Sequence, residues 1–215
     1  VDAVAGNANV LASKSGKLFG LASGLNALVT TKGAAAKIDV AQESKFFVGA
    51  PGKKDNAIGS LTVGAATPAV FAKDGTAATL ATLVQSANLE VTGDFSAGLK
   101  DAEGKLAAGA AVLGTVAPGD TTVTATKATY KLNPATGLTA QALTLNVDGT
   151  STLAAQTFTA KLVPVAATGY TVAAKDLGDL GILSKNGDTQ SVDLALNPGG
   201  TYSNFVRISN TDRKS

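Results

Sequence analysis

The stretch that decides the fold is Leu143–Pro164, LTLNVDGTSTLAAQTFTAKLVP. Apolar and polar residues alternate over 143–148 and again over 157–162, and a period of two is typical of a β-strand with one face in a core. Asp148-Gly149 is a dipeptide that is common in turns between strands. We therefore predict an antiparallel hairpin whose two strands are joined by a wide loop over residues 149–155.

The same alternation predicts which side chains are buried. The larger apolar residues should point into the core, while threonines and a lysine should face outward or towards an interface. The predicted buried residues are Phe95, Leu143, Leu145, Val147, Phe158 and Leu162, and the predicted outward residues are Thr144, Thr157, Thr159 and Lys161.

The rest of the chain repeats this pattern. Short alternating segments such as Asn88–Phe95 and Thr121–Leu132 are separated by clusters of glycine, proline, asparagine and aspartate. Of the 215 residues, 16% are charged and 5% are aromatic, against about a quarter charged in ordinary domains. The sequence predicts an all-β fold, an antiparallel β-sandwich with Greek-key-like connections and a thin core.

The predicted domain organisation follows from the point after which few strands are predicted. We place a β-sandwich domain with an irregular N-terminal segment at residues 1–172, and the start of a second, incomplete β module at residues 173–215. That module has three predicted strands, Gly181–Lys185, Ser191–Leu196 and Asn204–Ser209, which are too few for an independent core. We expect it to pair with the first domain, with further sequence or with a neighbouring subunit. Its predicted assembly edge is formed by Phe205, Arg207 and Ile208.

The sequence offers little catalytic chemistry. It contains neither histidine nor cysteine, which removes the serine–histidine triad, the thiolate nucleophile and the usual zinc ligands. Carboxylate pairs such as Asp101 and Glu103 lie in polar loops, and the aromatic residues that would line a sugar cleft are scarce. We predict that the protein is not an enzyme and that it has no certain cofactor.

Calcium is the metal that the remaining side chains could bind, because it takes oxygen ligands from loops. The candidate ligands are Asp101, Glu103, Asp148 and Asp188. Thr144–Gly149 resembles half of an EF-hand loop, but Thr144 stands at the first ligand position and Ala155 where the bidentate glutamate belongs. Calcium at loops or between subunits is therefore an expectation without a complete motif.

Charge and hydropathy exclude several partners. A formal net charge of +2 without a basic stripe does not predict nucleic-acid binding. No run of about 20 apolar residues predicts a transmembrane segment. The chain begins with Val1 and contains no methionine, so either an export signal has been removed or the chain has been trimmed, and we expect the first.

Four phrases of the sequence resemble a known family. They are ANLEVTGDFS at residues 87–96, LTLNVDGTSTLAAQTFTAKL at 143–162, LGDLGIL at 177–183 and NFVRISNT at 204–211. In composition and residue pattern they are similar to secreted, A-layer-like surface-layer proteins of Gram-negative gammaproteobacteria. The resemblance implies export, a two-dimensional lattice of identical subunits, attachment to lipopolysaccharide and no enzymatic site.

The function expected from pattern and resemblance together is that of a structural subunit. Threonine-rich outward faces and few charges suit a protein that packs against copies of itself, because low charge weakens the repulsion between molecules. We expect a secreted protein at the surface of a Gram-negative cell, forming a homo-oligomeric array. The alternatives are an adhesin or carbohydrate-binding β-sandwich, and a subunit of an extracellular fibre or pilus.

Overall fold

The computed structural model describes residues 2–4, 10–13, 23–33, 36–72 and 74–187, with the backbone alone for 2–4 and 10–13. Nearly all regular structure in these residues is extended. The strands are β1 Asp2–Val4, β2 Val10–Ser13, β3 Leu25–Lys32, β4 Ala36–Ile38, β5 Asp55–Ala65, β6 Val84–Thr92, β7 Ala111–Leu113, β8 Thr121–Val123, β9 Lys127–Leu132, β10 Leu138–Asn146, β11 Gln156–Ala166 and β12 Lys175–Lys185. One short α-helix, α1, covers Leu80–Leu83, and 3-10 turns lie at Val40–Gln42, Ala108–Ala110 and Pro118–Asp120.

The strands form two main sheets that face each other. The four-stranded sheet has the order β3-β5-β10-β7, and the six-stranded sheet has the order β4-β12-β11-β6-β9-β8. Strands β1 and β2 pair as a two-stranded ribbon. Neighbouring strands are antiparallel except β4 and β12, which are parallel. The predicted all-β sandwich is confirmed.

The core lies between the two sheets and follows the period-two alternation. Every residue predicted to be buried is buried, from Phe95 to Leu162, and Thr157, Thr159 and Lys161 are exposed. The Phe95 and Phe158 rings pack with centroids 5.4 Å apart. The Tyr130 hydroxyl donates a hydrogen bond of 3.0 Å to the carbonyl oxygen of Ala111. Because Tyr130 lies in β9 and Ala111 in β7, this bond joins the two sheets.

The predicted hairpin is wrong, although both of its strands exist. Strand β10 pairs with β5 and β7, whereas β11 pairs with β6 and β12 in the other sheet. The connecting residues bind other loops instead of closing a turn. Val147 N–H donates to Lys54, Asp148 N–H to Ala97 and Leu153 N–H to Ser44. Alternation reveals which face of a strand is buried, but both sheets bury their faces in the same interior, so it cannot name the partner.

Strand β12 completes the larger sheet. It contains the strand that was expected at Gly181–Lys185, and it lies between β11 and β4. The predicted second module therefore contributes at least this strand to the sheet of the first domain. Residues 188–215, with the other two expected strands, lie outside the described residues, so a division of the chain near residue 172 stays a prediction.

The two sheets come closest where β12 crosses β5. A methyl group added to Gly181 would overlap the carbonyl oxygen of Ile58, and one added to Gly59 would overlap the carbonyl oxygen of Leu180. Ile58 and Leu180 are both buried at this contact. Packed sheets are normally about 10 Å apart, so glycine is required here because backbone meets backbone without an intervening side chain.

We predict that Gly181→Ala lowers the free energy of unfolding by about 1–3 kcal/mol, the usual cost of overpacking a core. Gly64→Ala is the matched control, because Gly64 lies in β5 and an added methyl group meets nothing within 4 Å. It should be neutral or slightly stabilising, since glycine weakens a strand interior. Urea unfolding of both variants checks this. Equal stability of the two variants would show that the sheets do not depend on this contact.

Candidate functional site

The acidic residue best placed among the calcium candidates is Asp148, at the start of the crossover between the sheets. Its side chain is 10% exposed. Its Oδ1 accepts hydrogen bonds from Thr150 N–H at 2.7 Å and Ser151 N–H at 2.8 Å. Its Oδ2 accepts from the Ser151 hydroxyl at 2.8 Å and from Lys100 Nζ at 2.9 Å. The carboxylate thus orders the crossover and already has a cation beside it.

Electrostatics around Asp148 favour the charged form. Burial alone would raise the pKa of Asp148, but the N–H groups of Ser151 and Thr150, the Lys100 ammonium and the Ser151 hydroxyl together hold it well below its usual range. A carboxylate that is bound in this way stabilises the fold at neutral pH.

The other calcium candidates do not gather around Asp148. Asp101 Oδ1 accepts hydrogen bonds from the N–H groups of Glu103 at 3.1 Å and Lys105 at 2.8 Å, which closes its own loop. Glu103 is exposed, and Asp188 lies outside the described residues. No group of three or more acidic side chains in the described part of the chain could hold a metal ion. Calcium binding stays a prediction.

We predict that Asp148→Asn is less stable than the parent chain at pH 7, by about 1–3 kcal/mol, because hydrogen bonds to a charged group are lost. The pKa of Asp148 is depressed in the folded state, so its contribution is present above the unfolded-state pKa of about 3.9 and disappears as pH falls through the folded-state value. The difference in free energy of unfolding between the parent chain and Asp148→Asn should therefore become smaller below about pH 4.

Glu103→Gln is the control for this comparison, because Glu103 is exposed and should unfold like the parent at each pH. Thermal melts between pH 2 and pH 7 provide the measurement. A gap that stays constant across this range would contradict the role given to the ionised carboxylate.

The outer face of the six-stranded sheet carries charges of alternating sign. Lys161 on β11 lies opposite Asp176 on β12 and Glu90 on β6. Lys127 on β9 forms an ion pair of 3.0 Å with Glu90. Outward threonines continue the same face at Thr92, Thr157 and Thr159. The charges compensate one another across the strands, so this broad surface has little net field to repel a second copy.

The sheets end in edges of very different length. Strands β4, β7 and β8 have three residues each, whereas β3 has eight. An edge strand presents backbone N–H and C=O groups to which another chain can add. Sequence reasoning included β3 in an irregular segment, because Leu25 and Leu28 continue a near-helical spacing of leucines that glycines interrupt. The assembly edge predicted at Phe205, Arg207 and Ile208 lies outside the described residues.

No helix in the described residues is long and apolar enough to cross a membrane. The described surface consists of the outer faces of the sheets, strand edges and loops. Comparison with known proteins indicates which kind of protein has this surface. The whole chain, residues 1–215, matches the family model described as S-layer protein Slr4. The chain belongs to this surface-layer protein family. No curated protein and no solved structure matches it. Membership makes the chain a structural, cell-surface protein of a self-assembling layer, as its resemblance implied.

Proposed function

We propose that this chain is a non-catalytic subunit of a two-dimensional array on the outside of a Gram-negative cell. The observation that carries the proposal is the family match over residues 1–215. It rests also on the surface chemistry, since compensated charges, and an edge strand β3 that pairs on one side only among the described strands, allow copies to approach closely. Secretion to the cell surface and attachment to lipopolysaccharide are parts of the same proposal.

The array is tested by negative-stain electron microscopy of the purified chain, with and without added calcium. We expect crystalline sheets that are one molecule thick. Sheets that form only with calcium would support calcium between subunits. One-dimensional filaments would favour a fibre or pilus subunit instead. A chain that stays monomeric at high concentration and binds a defined sugar on a glycan array would favour an adhesin.

The C-terminal residues provide a second test of the proposal. We propose that residues 197–215, which include Phe205, Arg207 and Ile208, take part in assembly and are dispensable for the sandwich. The chain without these residues should still give the circular dichroism spectrum of a folded β protein, but it should form two-dimensional arrays less readily. Global unfolding of the deleted chain would place these residues in the core. Unchanged assembly would place the contacts between copies elsewhere.

A further inference from the structure

The end of the sandwich where β3 begins combines a projecting aromatic residue with an apolar hole. Phe71 lies in the connection between β5 and α1 and is 66% exposed, the highest fraction among the large apolar residues that the structure describes. Phe95 and Phe158, by contrast, are in the core. Single exposed apolar side chains are common, so Phe71 needs further evidence before it points to a partner.

The first piece of evidence is that backbone hydrogen bonds order the turn that carries Phe71. It forms a bridge with Ala77, and Ala78 N–H donates to the Val70 carbonyl at 2.7 Å. Asp74 Oδ1 accepts from both the N–H and the hydroxyl of Thr76, which fixes the turn. An aromatic side chain on an ordered backbone has only its own two torsions to lose on binding, and aromatic residues are enriched where proteins contact each other.

The second piece of evidence is a cavity of about 320 Å³ at the same end. It opens between the start of β3, helix α1 and the segment that leads into β12. Leu25, Leu83 and Val172 give it an apolar lining, and Lys175 lies at its margin. An apolar cavity of about 150 Å³ is enough to bind benzene, so this one has sufficient volume for the side chain of a phenylalanine.

The cavity is close to the hairpin in which Phe71 pairs with Ala77. Ala66, in the segment that leads from β5 to this hairpin, donates its N–H to the carbonyl of Gly24, a lining residue, at 2.9 Å. Phe71 is nevertheless exposed and therefore does not fill the cavity of its own molecule. The sequence between Phe71 and Ala77 includes one charge of each sign, Lys73 and Asp74, so its net charge does not oppose an approach to Lys175.

We propose that Phe71 of one copy inserts into the cavity lined by Leu25, Leu83 and Val172 of a second copy. The choice of a second copy as the occupant rests on the proposed function, in which copies of this chain are neighbours at high local concentration. The contact would join copies through an anchor and a pocket. The remaining faces and edges stay available for the other directions of a layer.

Two variants disable the two halves of the contact separately. Phe71→Ser removes the anchor, and it should weaken self-association by about 10-fold or more, as truncation of a buried aromatic anchor does. Ala173→Phe puts a larger side chain on the lining of the cavity. It should also weaken association, although it adds apolar surface that would increase non-specific adhesion. Ala174→Phe serves in its place if Ala173→Phe fails to fold.

Leu99→Ser is the matched control, because Leu99 is 42% exposed and hydrogen-bonds through its N–H to Asn146 at the end of β10, away from the cavity. It should leave association within about twofold of the parent chain. Sedimentation equilibrium gives the association constants, and thermal melts verify that every variant is folded.

Mixing the two disabled variants is the decisive experiment. Phe71→Ser retains an open cavity, and Ala173→Phe retains an anchor, so we expect the mixture to associate more tightly than either variant alone. The proposal is overturned if the mixture of the two folded variants associates no more tightly than either variant alone. It is also overturned if the Phe71→Ser chain associates like the parent, or if the parent stays monomeric in solution. If Phe71→Ser still forms sheets under the microscope, this contact is wrong while the array function stands.

Discussion

The structure depends on the place where β12 crosses β5 and the sheets meet backbone to backbone. Gly59 and Gly181 bring the strands together, and no other residue type fits because an added methyl group would overlap a carbonyl oxygen. On the opposite side of the sandwich, Tyr130 spans from β9 to Ala111 of β7. The gap is thus narrow at one side and bridged by a tyrosine at the other. Where backbone meets backbone, a chain with 5% aromatic residues needs no large side chain to close the core.

The sequence predicted faces better than it predicted neighbours. Alternation identified the buried side of β10 and β11 residue by residue, since it depends only on the local pleat. It could not show that the chain changes sheets after Asn146, because that depends on hydrogen bonds from Val147, Asp148 and Leu153 to distant loops. The strand β3 was missed for a local reason, because Leu28, an apolar residue on the exposed face, continues the near-helical spacing of leucines.

The candidate residues show the same division. Asp148 was chosen for its turn-like sequence, and the structure places it at a turn, but its oxygens are occupied by Thr150, Ser151 and Lys100. No sequence rule gives the contact with Lys100, which lies far away along the chain. The cavity near Phe71 was equally invisible, since its lining residues come from three separate segments. Exposure of a single phenylalanine cannot be deduced from composition.

The compensated charges on the outer sheet bear on how copies meet. Lys161 and Lys127 lie beside Glu90 and Asp176, two charges of each sign, so the face neither attracts nor strongly repels a neighbour. Exposed ion pairs contribute only about 0–1 kcal/mol each, and salt screens them further. Contacts between copies through this face would therefore depend on shape complementarity and on burial of apolar side chains more than on ion pairs. Their strength should vary little with ionic strength. An aromatic anchor seated in a pocket meets that requirement, because its contribution scales with the apolar area removed from water.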